Sequence, residues 1–394
     1  EREMKKGESS EKVLFIAGHE FLYNPQNGGQ QCSLRNYNLL KSIFGDNNVY
    51  LCMFSNYRYE HLNSNEKIFP THKNFLELLI DTISGRNVCG RKSRKKAIEF
   101  INSLNVDIIF CDSSIIGKIL RDIKISGVRI VFFHNIEKNY AKNKVLHDNF
   151  GYLIPYFSYS CNERQAVASA DYCVFLNDRD RKEAEELYGT QKSYILPITF
   201  EDAYVEKTKD FSDRIRPVLL FVGSMFAPNI SGIKWFVEEV MPELDDFVLY
   251  IVGKNMENRK KELERDNVKV IGTVEDLSVY YNLADAVIMP IFFGNGMKVK
   301  TAEAMMYGKT TFATQEALEG YDIESVRDRG IYECNTKEEF VEKIRKNVSV
   351  HSTINQQVRQ IFLEKYETGV QEKKFQSFLM RCIKEHGRDA ETME

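Results

Sequence analysis

No stretch of this sequence approaches the ~18 consecutive apolar residues that a membrane-spanning helix requires, so a chain that crosses a bilayer is not expected. Neither sign of charge is in excess. Lys and Arg number 54 against 57 Asp and Glu, a net charge of -3, which argues against a general nucleic-acid binder. Cysteine is sparse and scattered: Cys32, Cys52, Cys89, Cys111, Cys161, Cys173, Cys334 and Cys382 contain no CxxC pair and read as reduced thiols of a cytoplasmic protein. The first residues, Glu1 to Glu11, are charged and lack the apolar core of a signal peptide, which again suggests the cytoplasm.

What is present is alternation. Apolar runs read as strands at Lys12 to Gly18, Asn48 to Ser55, Val106 to Asp112, Arg129 to Asn135, Asp171 to Asn177 and Ser193 to Ile198, with helical patterns between most of them. Periodicity is lost from Thr199 to Arg216. A second series then follows at Val218 to Gly223, Phe247 to Gly253, Val268 to Gly272, Asp285 to Ile291 and Thr310 to Thr314, and the stretch from Lys337 to His386 is helical in pattern. At 394 residues the chain exceeds one ordinary core, so two domains are expected. The expected fold class is α/β, with two doubly wound Rossmann-like domains facing across a cleft. The expected divisions are 11–198, a linker at 199–216, a second domain at 217–350, and helices at 351–386 of which the last packs back on the first domain.

The stretch from Phe293 to Gly308 concentrates the chemistry. It joins the apolar run Asp285 to Ile291 to a helix on which Val299, Ala302, Met306 and Glu303 share a face, with Gly308 just past its end. Free backbone N–H groups at such a helix start, with Lys298 and Lys300 nearby, suit a phosphate, although an ordinary βα turn reads the same way. It is neither a dinucleotide fingerprint nor a Walker A loop. Val299 stands where the first needs its third glycine and Glu303 where the second needs glycine. Two further places draw notice at strand ends or helix starts: the Gly28-Gly29 pair, which permits close backbone approach, and His134, which follows an apolar strand. Between Phe75 and Phe100, an apolar helix is followed by Arg86, Arg91, Lys92, Arg94, Lys95 and Lys96. That cluster suits peripheral contact with an anionic membrane surface, or is a solvated helix start.

Four segments in order carry a resemblance. Phe221-Val222-Gly223-Ser224-Met225 with Pro228-Asn229 and Trp235-Phe236 is the first, and Ile251-Val252-Gly253-Lys254 the second. Ile271-Gly272-Thr273-Val274 with Tyr280 to Asp285 and the block Gly296 to Gly308 complete the set. Together they resemble the GT-B fold and, within it, the family 4 (group 1) glycosyltransferases, retaining enzymes that use nucleotide-sugar donors.

The resemblance implies a retaining hexosyltransferase acting on a glycan, lipid-linked or protein acceptor in bacterial cell-surface polysaccharide or glycoconjugate synthesis. It assigns donor binding to Gly28, Gly29, Gly223, Ser224, Lys254, Val274, Asn295, Gly296, Met297, Lys298, Lys300 and Glu303, and catalysis to His134, Lys298 and Lys300. Departures stand out: Asn295 replaces the first glutamate of a Glu-x7-Glu motif whose second is Glu303, and Ser224 and Ile230 replace the usual arginine and lysine of the diphosphate loop. No cofactor and no metal are expected, because lysines and helix amides would meet the phosphate charge. The alternatives are a catalytically weak or inactive partner that binds a nucleotide sugar, and a GT-B sugar-nucleotide 2-epimerase.

Overall fold

A computed structural model of the chain describes residues 10–20, 25, 28–71, 75–84, 90–147, 150–189, 191–205, 213–294, 297–352 and 354–391. The chain divides into two compact units, one of residues 1–197 and 372–394 and the other of residues 198–371.

The first unit is built on seven parallel strands: β1 (Val13–Ile16), β2 (Val49–Phe54), β3 (Glu66–Phe69), β4 (Ile108–Cys111), β5 (Val128–Phe133), β6 (Tyr172–Phe175) and β7 (Ser193–Ile195). They lie in the order β3-β2-β1-β4-β5-β6-β7, so the direction of winding reverses between β1 and β4. The register pairs Ile16 with Cys52 on one side and with Cys111 on the other, which brings the C-terminal ends of three strands level. β1 and β4 are wholly buried, as their unbroken apolar composition demands. Phe15 stacks on Phe110 with ring centroids 5.6 Å apart, and each such buried phenylalanine contributes about 1.5–3 kcal/mol. The final helix, Thr368–Glu391, closes this core: Phe375 meets Phe110 edge-on and Phe378 stacks on Tyr194 at 4.3 Å.

The second unit repeats the plan with β8 (Val218–Val222), β9 (Val248–Val252), β10 (Val268–Gly272), β11 (Ala286–Met289), β12 (Thr310–Ala313) and β13 (Ile331–Glu333). Their order is β10-β9-β8-β11-β12-β13, all parallel, with the reversal between β8 and β11. Val222 pairs with Val252, and Val252 with Gly272, so Gly223, Gly253 and Thr273 leave the sheet side by side. Two glycines allow the close approaches this needs. A Cβ on Gly253, at φ 151°, would lie 2.1 Å from the Gly223 carbonyl, and one on Gly232 would lie 1.6 Å from the Pro290 carbonyl.

The stretch 199–205 is packed on the second unit. Phe200 N–H donates to the Tyr366 carbonyl at 3.0 Å, and Asn282 Nδ2 to the Val205 carbonyl at 3.1 Å. The helix Gln356–Lys365 also belongs to this unit, and the crossing back to the first falls inside the final helix, between Gln371 and Glu372. Two strands, β3 and β13, have no counterpart in the sequence reading; both are short sheet edges.

Candidate functional site

In doubly wound sheets, ligands sit outside the C-terminal strand ends where the winding reverses. Each unit carries polar residues at that point.

In the second unit a cavity of about 450 Å³ opens there, lined by Val222, Gly223, Ser224, Asn229, Gly253, Lys254, Thr273, Val274, Leu277, Val299, Lys300 and Glu303. Gly223, Ser224, Lys254, Val274, Lys300 and Glu303 of the sequence-derived set are thus brought together. Met297 is buried beside it, and Asn295 and Gly296 lie outside the described residues.

The helix Val299–Met306 supplies the charged wall. Its start has no side-chain cap, and with Thr301 N–H donating to the Lys298 carbonyl at 2.9 Å the amides of Val299 and Lys300 are those offered to a ligand. Gly308 ends it with a positive φ of 56°, its N–H donating to the Met305 carbonyl at 2.9 Å and that of Lys309 to Ala304 at 2.9 Å. The face predicted for this helix is shifted. Thr301, Ala302, Ala304, Met305 and Met306 form the buried side, while Val299 is exposed into the cavity.

Lys300 Nζ donates to Asn229 Oδ1 and lies 5.4 Å from the Phe221 ring centroid. Burial pulls its pKa down to about 8, Lys298 adding to the fall and Glu303 opposing it. Asn229 in turn donates from Nδ2 to the Ser224 carbonyl at 2.9 Å, so one side chain orients both the ammonium and the loop after β8. Burial raises the Glu303 carboxyl above its ordinary range, against the hydrogen bond it accepts from Tyr281 at 3.3 Å and the charge of Lys300. Tyr281 is held by stacking on Tyr307, with ring centroids 4.6 Å apart.

Lys298 is placed differently from Lys300. Its ammonium pairs with Glu316 at 2.7 Å and does not line the cavity, while its carbonyl accepts from the Tyr321 hydroxyl at 2.7 Å. The structure therefore separates two lysines that the sequence reading treats as a pair.

In the first unit, Asp112 follows β4, His134 follows β5, and the helix Gly28–Phe44 enters beside them. Gly28 and Gly29 form the first turn of that helix rather than a preceding loop; Gly28 is exposed, and a Cβ there would meet nothing within 4 Å. The fully buried Asp112 carboxylate accepts from the Ser33 hydroxyl and from Asn36 Nδ2 at 2.7 Å. His134 Nε2 donates to the Asp112 carbonyl at 2.7 Å and faces its Oδ2 at 3.2 Å. Burial disfavours the imidazolium, but the Asp112 charge and Cys32 prevail and hold the His134 pKa well above its ordinary value. His19, with its ring centroid 4.9 Å away, has its pKa lowered to about 4 by burial and by repulsion from His134.

The sequence reading missed Asn229, Tyr281, Glu316, Cys32, Ser33, Asn36 and Asp112. Asp112 carried a usable signal, being a charged residue at the end of an otherwise apolar strand.

Of the basic cluster, Arg91, Lys92, Lys95 and Lys96 are exposed on the helix Arg91–Asn102. Arg94 does not join them: it is buried, bound to Asp122 at 2.8 Å and to the Lys118 carbonyl at 2.8 Å. A buried guanidinium so engaged holds helices together and is closed to a lipid surface. Arg86 lies outside the described residues. Among the described residues no helix is long and apolar enough to cross a membrane, and no group of three or more His, Cys, Asp and Glu is placed to hold a metal ion.

Residues 216–349, which form the β8 to β13 sheet and contain every residue lining the cavity, match the family model Glycosyl transferases group 1. No curated protein matches the sequence. Among solved structures, the chain resembles sucrose-phosphate synthase from Thermosynechococcus elongatus with a TM-score of 0.63, 13% identity and coverage of 94% of this chain and 98% of that one. It also resembles Anabaena HepE in complex with UDP, with a TM-score of 0.64, 12% identity and coverage of 94% and 100%. A glycosyltransferase from Rickettsia africae gives 0.62, 14%, 95% and 99%. Identities this low establish the fold, and the domain match adds the class: the chain carries a group 1 glycosyltransferase domain at residues 216–349 in a GT-B fold, and it is a sugar transferase.

Proposed function

We propose that the chain is a retaining hexosyltransferase that takes a sugar from a nucleoside-diphosphate sugar to a glycan, lipid-linked or protein acceptor in polysaccharide or glycoconjugate synthesis. The observation that carries this is the convergence of Lys300, Lys254, Glu303 and the loop at Gly223 and Ser224 on one cavity at the switch point of the group 1 domain. HepE, which shares the fold, has been crystallised with UDP and with UDP-glucose, in keeping with a donor of this kind.

In this reading the leaving diphosphate lies against Lys300 and the first amides of the helix Val299–Met306, where preorganised positive charge meets the negative charge that grows as the C1–O bond breaks. Glu303 accepts from a ribose hydroxyl. No divalent metal is required, because the protein itself supplies the cationic groups. Lys298, tied to Glu316, shapes the turn and adds charge from a distance. His134 acts on the sugar or acceptor as a fixed cation. Its Nε2 is held by the Asp112 carbonyl, and the Asp112 charge favours the imidazolium.

Peripheral membrane contact from the cytoplasmic side is part of the proposal. The helix Phe75–Ile83 exposes Leu76, Leu78, Ile80 and Ile83, the neighbouring helix Leu153–Ser169 exposes Leu153, Ile154 and Phe157, and the four exposed cations of the helix Arg91–Asn102 lie in the same unit. Apolar side chains joined to cations suit an anionic interface.

The deciding experiment is a panel of UDP-, GDP- and dTDP-sugars screened by thermal shift and calorimetry, followed by product NMR. One donor is expected to raise the melting temperature and to yield a glycoside of unchanged anomeric configuration. Affinity weaker than about 1 mM for the whole panel overturns the donor reading, and inversion at C1 overturns retention.

A further inference from the structure

The two segments that carry Asp112 and His134 meet on one buried carboxylate. Glu163, on the helix Leu153–Ser169, is fully buried. Its Oε1 accepts from the Glu137 N–H at 2.7 Å and from the Ser114 hydroxyl at 3.4 Å, and its Oε2 from the Lys138 N–H at 3.2 Å and the Tyr188 hydroxyl at 2.7 Å. Glu137 and Lys138 open the helix Glu137–His147. The Ile136 carbonyl accepts the first backbone bonds of that helix, but an isoleucine has no side-chain oxygen to cap the amides left over. Glu163 supplies the cap from another helix, three residues past His134, and through Ser114 it holds the chain two residues past Asp112. Its own helix is seated closely on the segment Ser114–Asp122: a Cβ on Gly117 would lie 2.2 Å from that of Ala166.

Only a carboxylate meets all four donors. Each oxygen of Glu163 takes one backbone N–H, so a glutamine in either orientation would turn its NH2 toward one of them. The choice has a cost. Burial lifts the Glu163 pKa to about 7, with the Tyr188 bond and the two amides opposing the rise and the Glu137 charge adding to it. A serine or aspartate in place of Ile136 would cap the helix without burying a charge, but it would not join the two segments. We propose that Glu163 is a positioning residue for sugar transfer: by tying the chain after β5 to the chain after β4 it fixes His134 against the Asp112 carbonyl. The inference rests on His134 acting in transfer. Glu163, being fully buried, meets neither donor nor acceptor.

The test is the imidazole 1H–15N spectrum of the whole chain, in which His134 is assigned by the signals lost in His134→Gln. In Glu163→Gln, shown to be folded by its melting curve, the His134 ring signals are expected to move. Its pKa should fall by about 1 unit, a ~10-fold weaker hold on the proton, as the pairing with Asp112 loosens. With the donor identified by the panel, affinity should stay within ~2-fold, because the donor cavity belongs to the other unit, while kcat falls ~10–100-fold. If Glu163→Gln does not fold, Tyr188→Phe, which takes one hydroxyl from the same carboxylate, carries the measurement and should move the same signals by less. His134 signals and pKa unchanged in the folded variant overturn the proposal, because Glu163 then caps a helix and nothing more. Moved signals with wild-type turnover overturn the link to transfer, and with it the part given to His134. The spectrum needs no donor, so a failure of the donor reading is distinguishable from a failure of this one.

Discussion

Lys298 Nζ lies 2.7 Å from Glu316 Oε1, whereas Lys300, two residues on, directs its ammonium into the cavity and onto Asn229. One lysine is spent on structure and the other is left for a ligand. Lys300→Ala should therefore weaken donor binding by about 1.5–3 kcal/mol, the value of a charge-assisted hydrogen bond, while the melting temperature holds or rises as a buried charge is removed. Lys298→Ala should do the reverse, lowering the melting temperature by stranding Glu316 and leaving donor affinity within ~3-fold. Calorimetry and melting curves on both variants check this, and equal losses of affinity would return Lys298 to the phosphate site.

Donor affinity should be bell-shaped in pH. Lys300 must be charged to meet a diphosphate, so affinity should fall as pH rises through about 8, far below the range of an exposed lysine. Glu303 must be ionised to accept from ribose, and its raised pKa makes affinity fall on the acid side earlier than an ordinary carboxylate would. Lys300→Arg, charged throughout, should flatten the alkaline limb alone. An alkaline limb unmoved in that variant would assign it to another group.

Turnover should survive EDTA. Lys300 and Lys254 line the cavity, and if they and the helix amides meet the phosphates as proposed, a chelator removes nothing the reaction uses. Loss of turnover that magnesium or manganese restores would contradict the assignment.

Two glycines make a controlled pair. Gly232→Ala sets a methyl 1.6 Å from the Pro290 carbonyl and should destabilise the protein by about 3 kcal/mol, because backbone must move at the strand end that frames the cavity. Gly28→Ala meets nothing within 4 Å and should fold as well as the parent or up to about 1 kcal/mol better. Any loss of donor affinity in Gly28→Ala then reports close approach of a ligand to the helix start. A stable Gly232→Ala would mean that the helix and strand separate more easily than their packing suggests.

How much of this was readable in the sequence follows from what each residue does. Strands such as Val13–Ile16 and Val218–Val222 announce themselves because parallel strands buried on both faces are continuously apolar. The edges Glu66–Phe69 and Ile331–Glu333 do not: one is half polar, with Glu66 turned inward to accept from Tyr37 at 2.9 Å, and the other has three residues. The second-unit cavity was largely readable because its residues follow strand ends in sequence. The Asp112 cluster was not. Ser33 and Asn36 stand on the buried face of the helix Gly28–Phe44, where pattern reading assigns polar residues to solvent, and only a partner from a distant strand makes their burial tolerable. The split between Lys298 and Lys300 was likewise invisible, since it depends on Glu316 arriving from beyond β12.

Membrane contact gives the last prediction, and Arg94 makes it specific. If the first unit rests on an anionic surface through Leu76, Ile80 and Ile83 together with Arg91, Lys92, Lys95 and Lys96, binding to anionic vesicles should fall steeply with salt, because such attraction is screened over roughly 10 Å at 0.1 M. Replacing those four cations with glutamine should remove vesicle co-sedimentation without altering the melting temperature or donor affinity, as each attracted cation adds about 1 kcal/mol. Arg94→Gln should behave oppositely: it removes the buried guanidinium that binds both Asp122 and the Lys118 carbonyl, so stability should fall while vesicle binding by the folded fraction persists. Serine at Leu76, Ile80 and Ile83 should weaken binding in a way that salt does not mimic, since it removes the apolar share. A wild-type protein that ignores anionic vesicles at low salt would make this face a solvated surface and direct the search for an acceptor toward soluble glycans and proteins.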